Sequence, residues 1–302
     1  MLQSLRVSGS PIYVSLSLAT VVVVAGLNGL SLNHEVVDPI RFVRFWPAAF
    51  ALTPISFGWG LLSVLIAMLP IALTMRAGAL YAAGRDGETL TASLKLIGQS
   101  ALTLLLVVIL PAVCIVGLLV PVAAYALLAH VPGVGNGLTE ILAIFVAPFA
   151  ILIGLVAAGS TVAIPLAWAS VAIEKRRDAF DALSRGYEYL YRRPVQTAVY
   201  LLLSAALAWL IGWMAKWVAF AAGIIIGRLF ALVSGGEPLP IVLQVILANL
   251  SLATTMTTLW ATFGAVYLLL RQDANQQEIE DIAVSEIDRR SSKLPTLQSK
   301  TP

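Results

Sequence analysis

No Asp, Glu, Lys or Arg occurs in residues 7–33, 45–75, 96–139, 141–173, 194–215 or 238–270 of this chain. A helix rises 1.5 Å per residue, so roughly 20 apolar residues cross a hydrocarbon core of about 30 Å. Each of the six intervals is long enough. Soluble domains carry about a quarter of their residues as charged side chains, whereas this chain is 12% charged and 59% hydrophobic. The pattern predicts an all-α fold: an integral membrane helical bundle of about six transmembrane helices. The spans are expected near residues 11–32, 56–76, 101–126, 142–172, 196–216 and 241–270. Strands of a membrane barrel alternate apolar and polar residues, and runs such as VVVVAG and LTLLLVVIL do not.

Prolines at 70, 111, 121, 148 and 165 fall inside these spans. Membrane helices tolerate proline because neighbouring groups re-satisfy the freed carbonyl, so kinks are expected rather than breaks. The first apolar run follows MLQSLR, as a secretory signal does, but it ends in NGLSLNHE with no small-residue cleavage site. A retained helix is expected. With the N-terminus inside, the parts facing the cytoplasm hold 15 of the 19 Lys and Arg residues. That is the asymmetry of the positive-inside rule, and it predicts a cytoplasmic (inner) membrane protein with both termini in the cytoplasm.

The domain reading is a transmembrane domain over 1–272 and a cytoplasmic tail over 273–302. QEIEDIAVSEID is expected to make a short helix in that tail, and the last residues have the composition of disorder. Thirty residues cannot bury a catalytic core, so function is expected in the membrane helices and their connections. Residues 33–55 include FVRFW, the mixture of rings and arginines found at a membrane–water boundary. The lone Cys114 lies in an apolar run, and His34 and His130 have no Cys, Asp or Glu cluster beside them. No metal and no cofactor are implied.

The connections suggest an internal repeat, 56–130 against 142–220. At an offset of 90, Glu88, Leu90, Thr91, Ala92, Lys95 and Ile97 align with Asp178, Phe180, Asp181, Ala182, Arg185 and Tyr187. Apolar positions stay apolar and the basic position stays basic, as in the parallel repeats of transport proteins.

The segment EKRRDAFDALSRGYEYLYRRP, 174–194, holds ten charged residues between two apolar runs. At about 100° per residue, Ala179, Phe180, Leu183, Gly186, Tyr187, Leu190 and Tyr191 share one arc, and the charges lie opposite. Arg177–Asp181, Asp181–Arg185 and Glu188–Arg192 are i,i+4 pairs that support a helix. An amphipathic helix lying at the cytoplasmic interface is expected. Lys175, Arg176, Arg177, Arg185, Arg192 and Arg193 are the candidate lipid- or partner-binding residues, because basic groups near an anionic leaflet gain about 1 kcal/mol each. Its carboxylates each have a basic neighbour, which argues against catalysis.

The same region carries a family resemblance. Ile164-Pro165, then Val171-Ala172-Ile173-Glu174-Lys175, Ala182-Leu183-Ser184-Arg185-Gly186-Tyr187 and Arg192-Arg193-Pro194, resembles the multi-pass membrane domain associated with bacterial glycerophosphoryl diester phosphodiesterases and related uncharacterised membrane proteins. The resemblance implies a helical membrane domain. It implies no phosphodiesterase activity, because the soluble barrel bearing that family's metal-binding carboxylates has no counterpart here. Gly186 stands where a serine is expected.

A second candidate cluster is Trp209, Trp213, Lys216 and Trp217, which with Phe220 fall on one helical face. Counted from Gln196, Lys216 lies about 30 Å along, at the outer boundary, where an aromatic belt with a snorkelling lysine is ordinary. Residues 218–234 are too short to cross again; a re-entrant helix, an interfacial helix and an extension of helix five all fit. VPGVGNG and GRDGE read as turns, and no Ser, His and Asp are grouped as a triad. The net charge of +3 follows membrane topology, so no nucleic-acid partner is implied. The functional expectation is a non-enzymatic inner-membrane protein, engaging anionic lipid or a partner protein (another membrane protein or a second copy) through the amphipathic helix. The alternative is a transporter or channel-like protein whose pathway is lined by the sixth helix, with its ANLSLATTMTT run.

Overall fold

A computed structural model describes residues 1–31, 54–85, 88–129, 136–174, 178–234 and 239–275. The described residues are helical, with no strand. A 3-10 helix, Leu2–Gly9, precedes α1 (Pro11–Ser31), α2 (Pro54–Ala82), α3 (Leu90–Gly98) and α4 (Ala101–Ala129); α5 (Asn136–Ile173), α6 (Ala179–Arg192), α7 (Pro194–Ser234) and α8 (Ile241–Asn275) follow. Five helices are long and apolar enough to cross a membrane. A sixth is added if the 3-10 helix and α1, bent by 71°, count as one span. The 33–55 segment, His34, His130 and the tail beyond 275 lie largely or wholly outside the described residues.

Local sequence explains where these helices start and why they persist. Pro11, Pro54 and Pro194 each occupy the first helical position, where the missing N–H costs nothing and φ is already set. Pro70 lies within α2, Pro111 and Pro121 within α4, and Pro148 and Pro165 within α5, all without ending the helix. The short helices are capped: Thr89 accepts from the Ala92 N–H, and Asp178 from the Phe180 N–H at 3.0 Å. Residues 218–234 continue α7 as one helix of 41 residues, about 61 Å long.

The core lies where the C-terminal parts of α2, α5 and α8 meet α3, α6 and the first turns of α4. Trp168 of α5 is fully buried there, and its Nε1 donates to the Leu104 carbonyl of α4 at 3.0 Å. Where helices this apolar lie in a membrane there is little hydrophobic drive between them, and close packing and hydrogen bonds supply cohesion. Small residues make that approach. A Cβ on Gly78 would stand 2.0 Å from the Ala261 carbonyl oxygen, and one on Gly264 would stand 2.0 Å from that of Met75. Beyond the core α4 and α5 form a hairpin, α7 pairs with α8, and both pairs expose apolar side chains.

The polar run of α8 is absorbed by packing. Thr257 donates to Ser17 of α1, Thr258 shares a hydrogen bond with Ser8, and Ser251 donates to the Gly212 carbonyl of α7. Thr254, Thr255, Thr257, Thr258 and Thr262 each also bond the carbonyl four residues back in α8.

The two connections proposed as repeats share an order of long helix, short helix, long helix. Their aligned acids differ in role: Glu88 pairs with Arg76, whereas Asp178 caps α6.

Candidate functional site

Two buried ion clamps organise the charged connections. Arg76, near the end of α2, is fully buried, and its guanidinium donates to both Glu88 carboxylate oxygens at 2.8 and 2.7 Å. Its other terminal nitrogen donates to the Ala172 carbonyl at the end of α5 at 2.7 Å. The second clamp has the reverse order along the chain. Glu174, just after α5, accepts from Arg185 of α6 at 2.6 and 2.7 Å and from the Tyr267 hydroxyl of α8. Each clamp ties a connection to helices distant in sequence. Such charges are held because opposite charge and hydrogen bonds meet them together.

Of the basic residues singled out above, Lys175, Arg176 and Arg177 lie outside the described residues, and with them the Arg177–Asp181 pair. Arg185 is turned inward: besides Glu174 it pairs with Asp181 at 2.9 Å, and its side chain is 25% exposed. Burial pulls the Arg185 guanidinium down, but Glu174, Tyr267 and Asp181 outweigh it and hold the group above its ordinary value. Arg185 is therefore a structural cation. Arg192 is 73% exposed and bridges to Glu188 at 2.7 Å. Arg193, the single residue between α6 and α7, adds a second positive charge beside it.

The face that α6 buries differs from the expected one. Ala179, Ala182, Leu183, Gly186 and Tyr189 are buried, whereas Phe180 is 70% and Tyr191 53% exposed. The buried stripe is turned by about 70° from the arc of large apolar residues. The reason is close backbone approach. α6 folds back antiparallel along α5, and a Cβ on Gly186 would lie 2.5 Å from the Ala163 carbonyl oxygen. Even a serine would clash there, which explains the glycine at that position. Tyr189 is carried inward onto Tyr267, with ring centroids 6.0 Å apart.

Further along, Tyr187 and Tyr191 stack in parallel, 6.0 Å between centroids and 4° between planes. The Tyr187 hydroxyl shares a 2.7 Å hydrogen bond with Ser160 and donates to the Val156 carbonyl, and that of Tyr191 donates to the Leu155 carbonyl at 2.9 Å. Gly159 leaves room for both rings, since a Cβ there would sit 2.7 Å from each side chain. The rings and Leu152, Leu155 and Val156 line an open cleft of about 450 Å³.

Trp209, Trp213, Lys216 and Trp217 all lie exposed on α7. Trp213 and Trp217 meet edge to face at 6.0 Å, and Phe220 continues the row. The structure leaves this stripe separate from the α5–α6 site. Cys114 is exposed on α4.

The buried clamps were missed in the sequence, where Arg185 read as a candidate lipid- or partner-binding residue and Arg76 was counted only among the basic residues of the cytoplasmic side. The available signal was an acid and a base 12 and 11 residues apart across a turn. No protein-family model matches this chain, and no curated protein or solved structure matches it.

Proposed function

We propose that this is a non-enzymatic protein of the cytoplasmic membrane, with both termini in the cytoplasm, which engages anionic lipid through the C-terminal end of α6. The observation that carries the reading is the exposed Arg192 with Arg193 beside it, next to an apolar cleft, while Arg185 is consumed internally. One-sided burial of α6, with Glu188 and Arg192 on the open side, supports an amphipathic helix at the cytoplasmic interface. The carboxylates around it support a non-catalytic role, since Glu88, Glu174, Asp181 and Glu188 are all ion-paired. Transport along α8 gains no support, because the threonines there bond into helix packing.

Native mass spectrometry of the full chain extracted from membranes tests the lipid reading. Wild type retains anionic phospholipid, and Arg192→Glu/Arg193→Glu loses it. If the variant carries the same lipids as wild type, α6 does not select them.

A further inference from the structure

We propose that the cleft between α5 and α6 seats one acyl chain of the phospholipid whose phosphate lies at Arg192 and Arg193; this rests on the lipid reading of α6 and adds a chain-binding site to it. The lining comes from Leu152, Leu155 and Val156 on one wall and the rings of Tyr187 and Tyr191 on the other. Both tyrosine hydroxyls, the polar side-chain atoms of that lining, point into α5 and are bonded to Ser160 and to the Val156 and Leu155 carbonyls. An occupant therefore meets only hydrocarbon and ring faces. A peptide strand or a polar solute would lose its hydrogen bonds to water without replacement, at several kcal/mol per group. An alkyl chain loses nothing.

Shape and charge agree with that occupant. The volume of about 450 Å³ falls within the range of small-molecule sites, about 300–1,000 Å³. Parallel stacking of the two rings gives a flat wall, and Gly159 is the residue that lets them lie against α5. Tyr191 is followed directly by Arg192 and Arg193. With Glu188 bound to Arg192, the corner keeps a net positive charge, suited to one phosphate. An Arg pair is also the side-chain type that recognises phosphate by forked hydrogen bonds.

Filling the cleft separates this proposal from headgroup attraction alone. Leu152 lies half-exposed on the rim, so Leu152→Trp blocks the chain without entering the core, and Leu152→Phe blocks it partly. Native mass spectrometry of each full-length variant, with thermal unfolding confirming the fold, is expected to show about tenfold less bound phospholipid for Leu152→Trp and an intermediate loss for Leu152→Phe. In Arg192→Gln/Arg193→Gln the chain still binds but preference for anionic headgroups falls. Unchanged lipid in both Leu152 variants overturns the chain site, even where the arginine variant changes headgroup preference. Unchanged preference in the arginine variant, with lipid lost in Leu152→Trp, keeps the cleft and overturns the phosphate assignment. A lipid-free dimer in wild type that Leu152→Trp dissociates assigns the cleft to a second copy and overturns the proposal.

Discussion

Replacing Glu88 by Ala removes the carboxylate that grips the buried Arg76 guanidinium with two hydrogen bonds. The side chains of Arg76 and Glu88 are 0% and 4% exposed, with bidentate contact at 2.8 and 2.7 Å. Solvent cannot substitute for the lost carboxylate at that burial, so the cost is that of breaking a buried pair, about 3–5 kcal/mol. The bond from Arg76 to the Ala172 carbonyl supplies a dipole but no charge. At roughly 2–4 °C per kcal/mol for a large domain, Tm falls by about 6–20 °C. The assay is thermal unfolding of detergent-purified protein, with monodispersity followed by size exclusion. Arg76→Met/Glu88→Leu removes both charges and should recover most of the loss, because an apolar pair of similar volume often replaces a buried ion pair without penalty. A Glu88→Ala protein unfolding within about 2 °C of wild type, or a double variant no better than the single, refutes the reasoning.

Other outcomes follow from the same geometry. Tyr267→Phe removes the α8 hydrogen bond to Glu174 and should cost about 1.5–3 kcal/mol, that of a bond to a charged group, in the same unfolding assay. Gly186→Ala drives a Cβ towards the Ala163 carbonyl and should destabilise by about 1–3 kcal/mol, while Ser184→Ala on the exposed side of α6 stays near wild type. Thr257→Val cuts the α8 bond to Ser17 and should lower stability by about 0.6 kcal/mol; a comparable change in solute flux through reconstituted protein would instead favour a pathway along α8. A reporter active only in the cytoplasm, fused at the C-terminus, should be active, and an inactive fusion reverses the proposed orientation.

The bundle was legible in the sequence because six charge-free stretches of membrane-spanning length leave few other solutions. The helix at 179–192 was legible too, since Asp181–Arg185 and Glu188–Arg192 form the ion pairs expected from their spacing. Its buried face was not. Periodicity weights large apolar residues such as Phe180, whereas contact between two helices is set by how near their backbones come, and Ala182 and Gly186 decide that here. The clamps were hidden for a related reason. Positive-inside counting treats Arg76 as a surface charge, and only the fold of its connection brings Glu88 back to it. The cleft depends on two hydroxyls turned towards α5, an orientation no sequence pattern records.

The clamps also bear on how the chain is made. Arg76 and Glu88 are 12 residues apart, and Glu174 and Arg185 are 11 apart, whereas Tyr267 lies 93 residues beyond Glu174. Loops this short close at small entropic cost. Each ion pair can therefore form while later helices are still being synthesised, since chains fold from the N-terminus as they emerge. Four charges are then held as two neutral pairs. α8 arrives last and adds one hydroxyl to a carboxylate already neutralised, so the final helix joins an interior whose electrostatics were set before it left the ribosome.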